Sequence, residues 1–208
     1  MIIAVDGPTA AGKGTIARSL AAHFGLPHLD TGLLYRAVGW QVAVNGGDPD
    51  CEGDALAACA FADELLTNAE LRSEITGGLA SRVSVHPKVR RALFERQRRF
   101  ALQPGGAVLD GRDIGTVIAP EAEVKLFVVA SMPARAERRF QEMQAMGRAV
   151  GRALIESDLA ARDTRDATRT AAPLLAAEDA VILDTSLLDR DEAIARAIAL
   201  VELRLEGK

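Results

Sequence analysis

The chain opens with the apolar run Ile2-Ile3-Ala4-Val5, closed by Asp6. A short β-branched run without polar alternation predicts a strand buried on both faces, the type found in parallel sheets. Beyond a Gly-rich turn, Ile16, Ala17, Leu20, Ala21 and Phe24 recur at helical spacing, and Gly25-Leu26-Pro27 supplies the stop, so a helix is predicted over 13–24. A second helix is predicted over 31–44, ending at Asn45-Gly46-Gly47-Asp48-Pro49. Residues 54–102 read as helical almost throughout, with one long helix begun at His86-Pro87 and carrying Val89, Leu93 and Phe100 on one side. Strands are predicted at 107–110, 124–130 and 180–184, and helices at 133–146, 154–164 and 190–205. Strands that are mostly apolar and alternate with helices imply an α/β fold with an open parallel sheet covered on both faces. The all-helical stretch 54–102 breaks that rhythm and is the predicted insert.

Composition narrows the function. The chain has 208 residues, 49% of them hydrophobic, with 25 basic and 29 acidic side chains and a net charge of −4. That balance suits one soluble domain and is poor for a general nucleic-acid coat. No apolar run approaches the ~20 residues of a membrane span, and the apolar start ends too soon for a signal peptide. Cys51 and Cys59 show neither a secretory framework nor metal-ligand spacing, and His23, His28 and His86 are scattered, so a reducing, cytoplasmic setting without structural zinc is expected. Lys13, Lys88, Lys125 and Lys208 are the only lysines; every other basic residue is Arg. Codon bias can produce that excess, and so can a need to grip phosphates with planar, forked donors.

The sharpest pattern is Gly7-Pro8-Thr9-Ala10-Ala11-Gly12-Lys13-Gly14-Thr15, between a predicted strand and a predicted helix. Such a loop curls its backbone so that N–H groups converge on an anion at a helix N-terminus. Lys13 would meet the outer phosphates, and Thr15 a phosphate or Mg²⁺. The glycine between lysine and threonine matches nucleoside monophosphate kinases rather than regulatory GTPases, which also carry an Asn-Lys-x-Asp guanine reader that this chain lacks.

Transfer between two nucleotides brings two polyanions into contact, and the acceptor phosphate is already ionised at neutral pH. The chemistry therefore calls for arginines rather than a strong base. Four arginine-bearing motifs qualify: Asp30-Thr31-Gly32-Leu33-Leu34-Tyr35-Arg36; Ser81 with His86-Pro87-Lys88-Val89-Arg90; Asp110-Gly111-Arg112-Asp113-Ile114-Gly115-Thr116 at a strand end; and Arg162-Asp163-Thr164-Arg165-Asp166-Ala167-Thr168-Arg169. Plain alternatives stay open: solvated helix positions for Arg36 and Arg90, a surface turn at Asp110–Asp113, and local i,i+4 pairing of Arg162 with Asp166.

In this order, from Ile2 to about Leu200, the motifs resemble the bacterial cytidylate kinases. The resemblance implies a P-loop kinase core with a central parallel sheet flanked by helices, a small helical acceptor-binding insert (about 36–102) and a short lid (about 135–169), all within one domain. It implies ATP-dependent phosphorylation of CMP and dCMP with release of ADP, Mg²⁺ as cofactor, a monomer, and neither nucleic acid nor membrane as partner. Residues 7–15 would hold the ATP phosphates: Gly7, Pro8, Thr9, Ala10, Ala11, Gly12, Lys13, Gly14 and Thr15, the last also a Mg²⁺ ligand. Arg36, Arg112 and Arg169 would bind the acceptor phosphate, with Lys13, Arg112 and Arg169 acting in catalysis. Ser81, Arg90 and Asp113 would face the cytosine, and Arg162 and Asp166 the ribose. Arg135, Arg138 and Arg139 are either lid groups touching ATP or a solvated face. The chain departs from the family where a strand-bearing stretch usually precedes the segment ending at Ser81: residues 65–71 run almost directly into the next helix, roughly fifteen residues short of it. Two other readings remain: a kinase of a different small acceptor, such as another nucleoside monophosphate or shikimate, and a regulatory nucleotide-binding module. A base-reading Arg90–Asp113 pair weighs against shikimate, and a second anion site against a switch.

Overall fold

The computed structural model describes residues 1–207. Strands β1 (Ile2–Asp6), β2 (His28–Asp30), β3 (Ala107–Gly111), β4 (Val124–Val129) and β5 (Val181–Asp184) form one parallel sheet in the order β2-β3-β1-β4-β5. Side chains alternate across β1, and both faces are buried. Ile3 and Val5 pack with Ile16 and Leu20 of α1 (Lys13–Phe24) and with Ala197 and Val201 of α8 (Arg190–Glu206). Ile2 and Ala4 pack on the other side with Leu109, Ile114 and Ala101.

The predicted helical stretch is divided. After α2 (Thr31–Val44) come α3 (Glu52–Ala57), two 3₁₀ turns at Asp63–Thr67 and Ala69–Arg72, α4 (Glu74–Val83) and α5 (Pro87–Ala101). They enclose a core of their own, including Leu34, Val38, Val42, Leu71, Val83 and Val89. Among the described residues no strand lies between α2 and β3, as the run through 65–71 implied. Helices α6 (Met132–Ala145) and α7 (Arg152–Thr168) close a third, small cluster of Ala136, Ile155 and Leu159. α7 extends beyond the predicted 154–164 at both ends.

Two elements have no counterpart in the sequence reading. The three half-buried residues of β2 carry no apolar run; pairing with β3 (His28 with Val108, Asp30 with Asp110) makes them a strand. A π-helical turn at Ile114–Ile118 follows β3, and buried Asp6 accepts its N–H groups from Ile114 (2.9 Å) and Gly115 (2.8 Å). Burial dominates there and raises the Asp6 carboxyl to about 6 against those two bonds. The register brings the ends of β1, β2 and β3 together, so Asp6, Asp30 and Asp110 stand at the carboxyl edge of the sheet, where open α/β sheets bind ligands.

Candidate active site

The loop between β1 and α1 is pressed onto the sheet. Gly7 has φ +144°, and a Cβ there would lie 2.0 Å from the Val128 carbonyl oxygen, so only glycine fits. Ala10 is left-handed at φ 62°, an unfavourable conformation for a residue with a Cβ. No side chain caps α1, and its first turn carries no acid. Its N-terminal N–H groups and partial positive charge are therefore left for an anion. Buried Lys13 folds back so that Nζ donates to the Pro8 carbonyl at 2.9 Å. Burial, and then the Arg112 charge, lower the Lys13 ammonium to about 7.

All eight residues assigned above to the acceptor line one cleft: Arg36, Ser81, Arg90, Arg112, Asp113, Arg162, Asp166 and Arg169. Thr9 of the loop lines it too. The arginines are set by a network. Arg112 donates from Nε to Asp166 Oδ2 (2.7 Å), from Nη2 to Thr9 Oγ1 (2.7 Å) and from Nη1 to the Gly111 carbonyl (3.3 Å). Burial works against the Asp166 carboxylate, but the adjacent Arg112 outweighs it and holds the group below its ordinary range. Asp113 takes Arg90 on one oxygen and lies 3.9 Å from Arg169 on the other. The Arg90 guanidinium also sits 5.5 Å above the Tyr35 ring.

Two arginines lack full compensation. Arg169 Nη2 is buried with no hydrogen-bond partner, which costs free energy unless an acceptor arrives. Arg36 is held by the carbonyls of Leu71 (2.8 Å) and Ser73 (2.9 Å), with no carboxylate in ion-pair contact among the described residues. Burial, and then the neighbouring Arg162, lower its guanidinium to about 10. A dianion would relieve both.

The local pairing considered for Arg162 with Asp166 does not occur: Arg162 pairs with Glu74 of α4, and Asp166 with Arg112. Ser81 is held by Arg165 Nε at 2.9 Å. Nor do the α6 arginines form a solvated face. Arg135 makes a bidentate pair with Asp163 (2.6 and 3.0 Å) and reaches the Thr9 carbonyl (3.2 Å). Arg138 binds Thr185, and Arg139 pairs with Glu74. Arg138 and Thr185 line a second cleft with Gly12, Thr15 and Leu188. The phosphate loop thus contributes Thr9 to one cleft and Gly12 and Thr15 to another.

Comparison with known proteins decides the family. The family model described as cytidylate kinase matches residues 3–203. The chain belongs to the cytidylate kinase family. It is 53% identical to the cytidylate kinase of Xanthobacter autotrophicus over 208 residues, all of both chains, and 56% identical to that of Cereibacter sphaeroides over 202 residues, 97% of this chain and 95% of the relative. The end-to-end match with the first leaves no room there for an extra fifteen residues. Solved structures resemble it in fold alone. An uncharacterized protein from Eubacterium ventriosum superposes with TM-score 0.53 at 15% identity, covering 97% of this chain and 98% of its own. A sugar kinase from Janibacter sp. gives 0.50 at 14%, covering 97% and 94%.

The sequence reading missed Glu74, Gly77, Thr31 and the Arg135–Asp163 pair. Thr31 and Asp163 lay inside recognised motifs, and Arg135 was named only as a lid group or a solvated position. An acid in the first turn of a helix, as Glu74 is, carries no signal beyond helix-dipole preference.

Proposed function

We propose that the enzyme transfers the terminal phosphoryl group of ATP to CMP and dCMP, forming the diphosphates and ADP. The observation that carries this reading is a phosphate loop flanked by two clefts, one of them lined by an arginine with no carboxylate in ion-pair contact (Arg36), by another with a buried N–H lacking an acceptor (Arg169), and by a buried Arg–Asp pair. ATP would place its phosphates on residues 7–15 and its nucleoside toward Arg138, Thr185 and Leu188. The acceptor phosphate would lie among Arg36, Arg112 and Arg169, its oxygen in line with the γ-phosphorus. As that oxygen bonds to phosphorus, the bond to the ADP oxygen breaks, and Lys13, Arg112 and Arg169 meet the spreading charge. Arg162 and Asp166 would hold the ribose.

Cytosine offers an amino donor and acceptors at N3 and O2. Asp113 and Arg90 are complementary to that edge, with Ser81 beside them. The Thr15 hydroxyl and the Asp110 carboxylate, whose Oδ2 lies 3.8 Å from the Cβ position of Gly14, are hard oxygen donors that fit Mg²⁺. These oxygens would hold Mg²⁺, whose positive charge would offset that of the phosphates. Residues 36–102 would be the acceptor lobe and 135–169 the lid of one kinase domain. Both clefts are built by one chain, which supports a monomer, and the mildly acidic chain supports neither a nucleic-acid nor a membrane partner. No helix among the described residues is long and apolar enough to cross a membrane. Cysteines Cys51 and Cys59 are unpaired, in keeping with cytoplasm.

Incubation with ATP, Mg²⁺ and a panel of CMP, dCMP, UMP, AMP, GMP and shikimate, followed by ADP release, tests the reading. Turnover should be highest with CMP or dCMP. A faster reaction with a purine nucleotide or shikimate would overturn the acceptor assignment, and no turnover with any acceptor would overturn the enzyme.

Asp113→Ala should raise KM for CMP by ~10-fold or more, since it unpairs buried Arg90 and removes the acceptor for the amino group. KM for ATP should change less than twofold, and the ratio of CMP to UMP efficiency should shrink. Equal losses on CMP and UMP would make Asp113 a prop for Arg90 and Arg169 rather than a base reader.

A further inference from the structure

Arg36 and Arg162 come from α2 and α7, and their guanidiniums converge over one spot on α4. A Cβ built on Gly77 would lie 2.9 Å from Arg36 Nη2 and 3.1 Å from Arg162 Nη1. Gly77 is buried and interior to the helix, where its backbone needs no left-handed conformation. Glycine there costs ~1 kcal/mol of helix propensity relative to alanine. The space above it is filled by two side-chain ends rather than by backbone. One turn earlier on α4 is Glu74, a separation that places the two residues on the same helix face. Its two carboxylate oxygens pair with Arg162 and Arg139, from α7 and α6. Glu74 therefore places a carboxylate among like charges: burial, and then the nearby Arg139, lower the Arg162 guanidinium, and burial, and then Arg162, lower Arg36.

We infer that Glu74 and Gly77 form a seat for the acceptor-binding arginines. Gly77 gives the clearance that lets Arg36 and Arg162 lie side by side, and Glu74 supplies the charge that holds Arg162 and ties α6 and α7 to α4. Neither residue needs to touch the nucleotide; both are positioning residues, and they set acceptor affinity. This inference rests on the reading that Arg36 and Arg162 bind the acceptor.

The seat is tested with Gly77→Ala and Glu74→Gln, alongside Arg36→Ala and Arg162→Ala. Gly77→Ala displaces side-chain ends rather than backbone, and the gain in helix propensity opposes the strain on their bonds, so its Tm should stay close to the parent's. Glu74→Gln keeps shape and loses charge, so it serves as a second probe should alanine disturb packing. Both should raise KM for CMP about tenfold, since a misplacement near 1 Å in a positioning group costs up to ~10²-fold. KM for ATP should stay within twofold. If the arginine variants raise KM for CMP while Gly77→Ala and Glu74→Gln leave it within twofold, the seat is wrong and the acceptor assignment stands. The seat is equally wrong if KM for ATP rises as much as KM for CMP. If the arginine variants themselves leave KM for CMP unchanged, the acceptor assignment fails and takes the seat with it.

Discussion

Lys13→Met should lower kcat by ~10²-fold or more, the scale on which losing a preorganised charge at the transferring group is felt. The Lys13 ammonium is buried and bonded to the Pro8 carbonyl, with its pKa brought down to about 7 by burial and by Arg112. An incoming polyphosphate reverses that balance, so the charge is largest when the transition state needs it. A proton is therefore taken up when ATP binds at pH 8, visible as a binding heat that varies with the buffer's ionisation enthalpy, and Lys13→Met should abolish the uptake. The sign for stability is opposite. A lysine whose folded pKa lies below its unfolded value of 10.5 weakens the fold progressively as pH falls from about 10.5 to 7. The methionine variant should consequently be at least as stable as the parent at pH 7. Activity within a few-fold of the parent would remove Lys13 from the chemistry.

Arg112→Lys should lower kcat/KM for CMP by a comparable ~10²-fold, although the charge is retained. Arg112 links three parts of the site: Asp166 on α7, Thr9 in the phosphate loop and the Gly111 carbonyl at the end of β3. A planar fork meets all three at once, and an ammonium on a flexible stem cannot. The partial loss of its grip also frees Asp166, which lies 4.0 Å from Arg169. The Tm should fall modestly, because the pair is partly buried and both of its ends stay charged. Efficiency within threefold of the parent, measured at saturating ATP, would show that position and not planarity is what the site requires of Arg112.

The phosphate loop, its strand and its helix were readable from sequence because their determinants are local: an apolar run, glycines at strained positions and a 3.6-residue period within two dozen residues. The eight residues assigned to the acceptor stood out as motifs, and the fold gathers them in one cleft: Arg36 and Arg90 from the first half of α2 and α5, Arg112 and Asp113 from the end of β3, and Ser81, Arg162, Asp166 and Arg169 from the C-terminal ends of α4 and α7. What tertiary structure decided was partnership. His28–Asp30 become a strand only beside β3. Asp6 shifts toward neutrality because burial outweighs the two N–H groups that the π-helical turn donates to it. Arg162 could pair with Asp166 along its own helix, yet it takes Glu74, 88 positions away, because α7 packs its buried side against α4. Gly77 looks like a helix defect until two guanidiniums from distant elements are found above it. Propensity and periodicity act over a few residues, whereas the cost of burying a charge depends on everything the chain folds around it. The sequence alone therefore determined where the charged groups go, and only the packed structure determined which of them compensate one another.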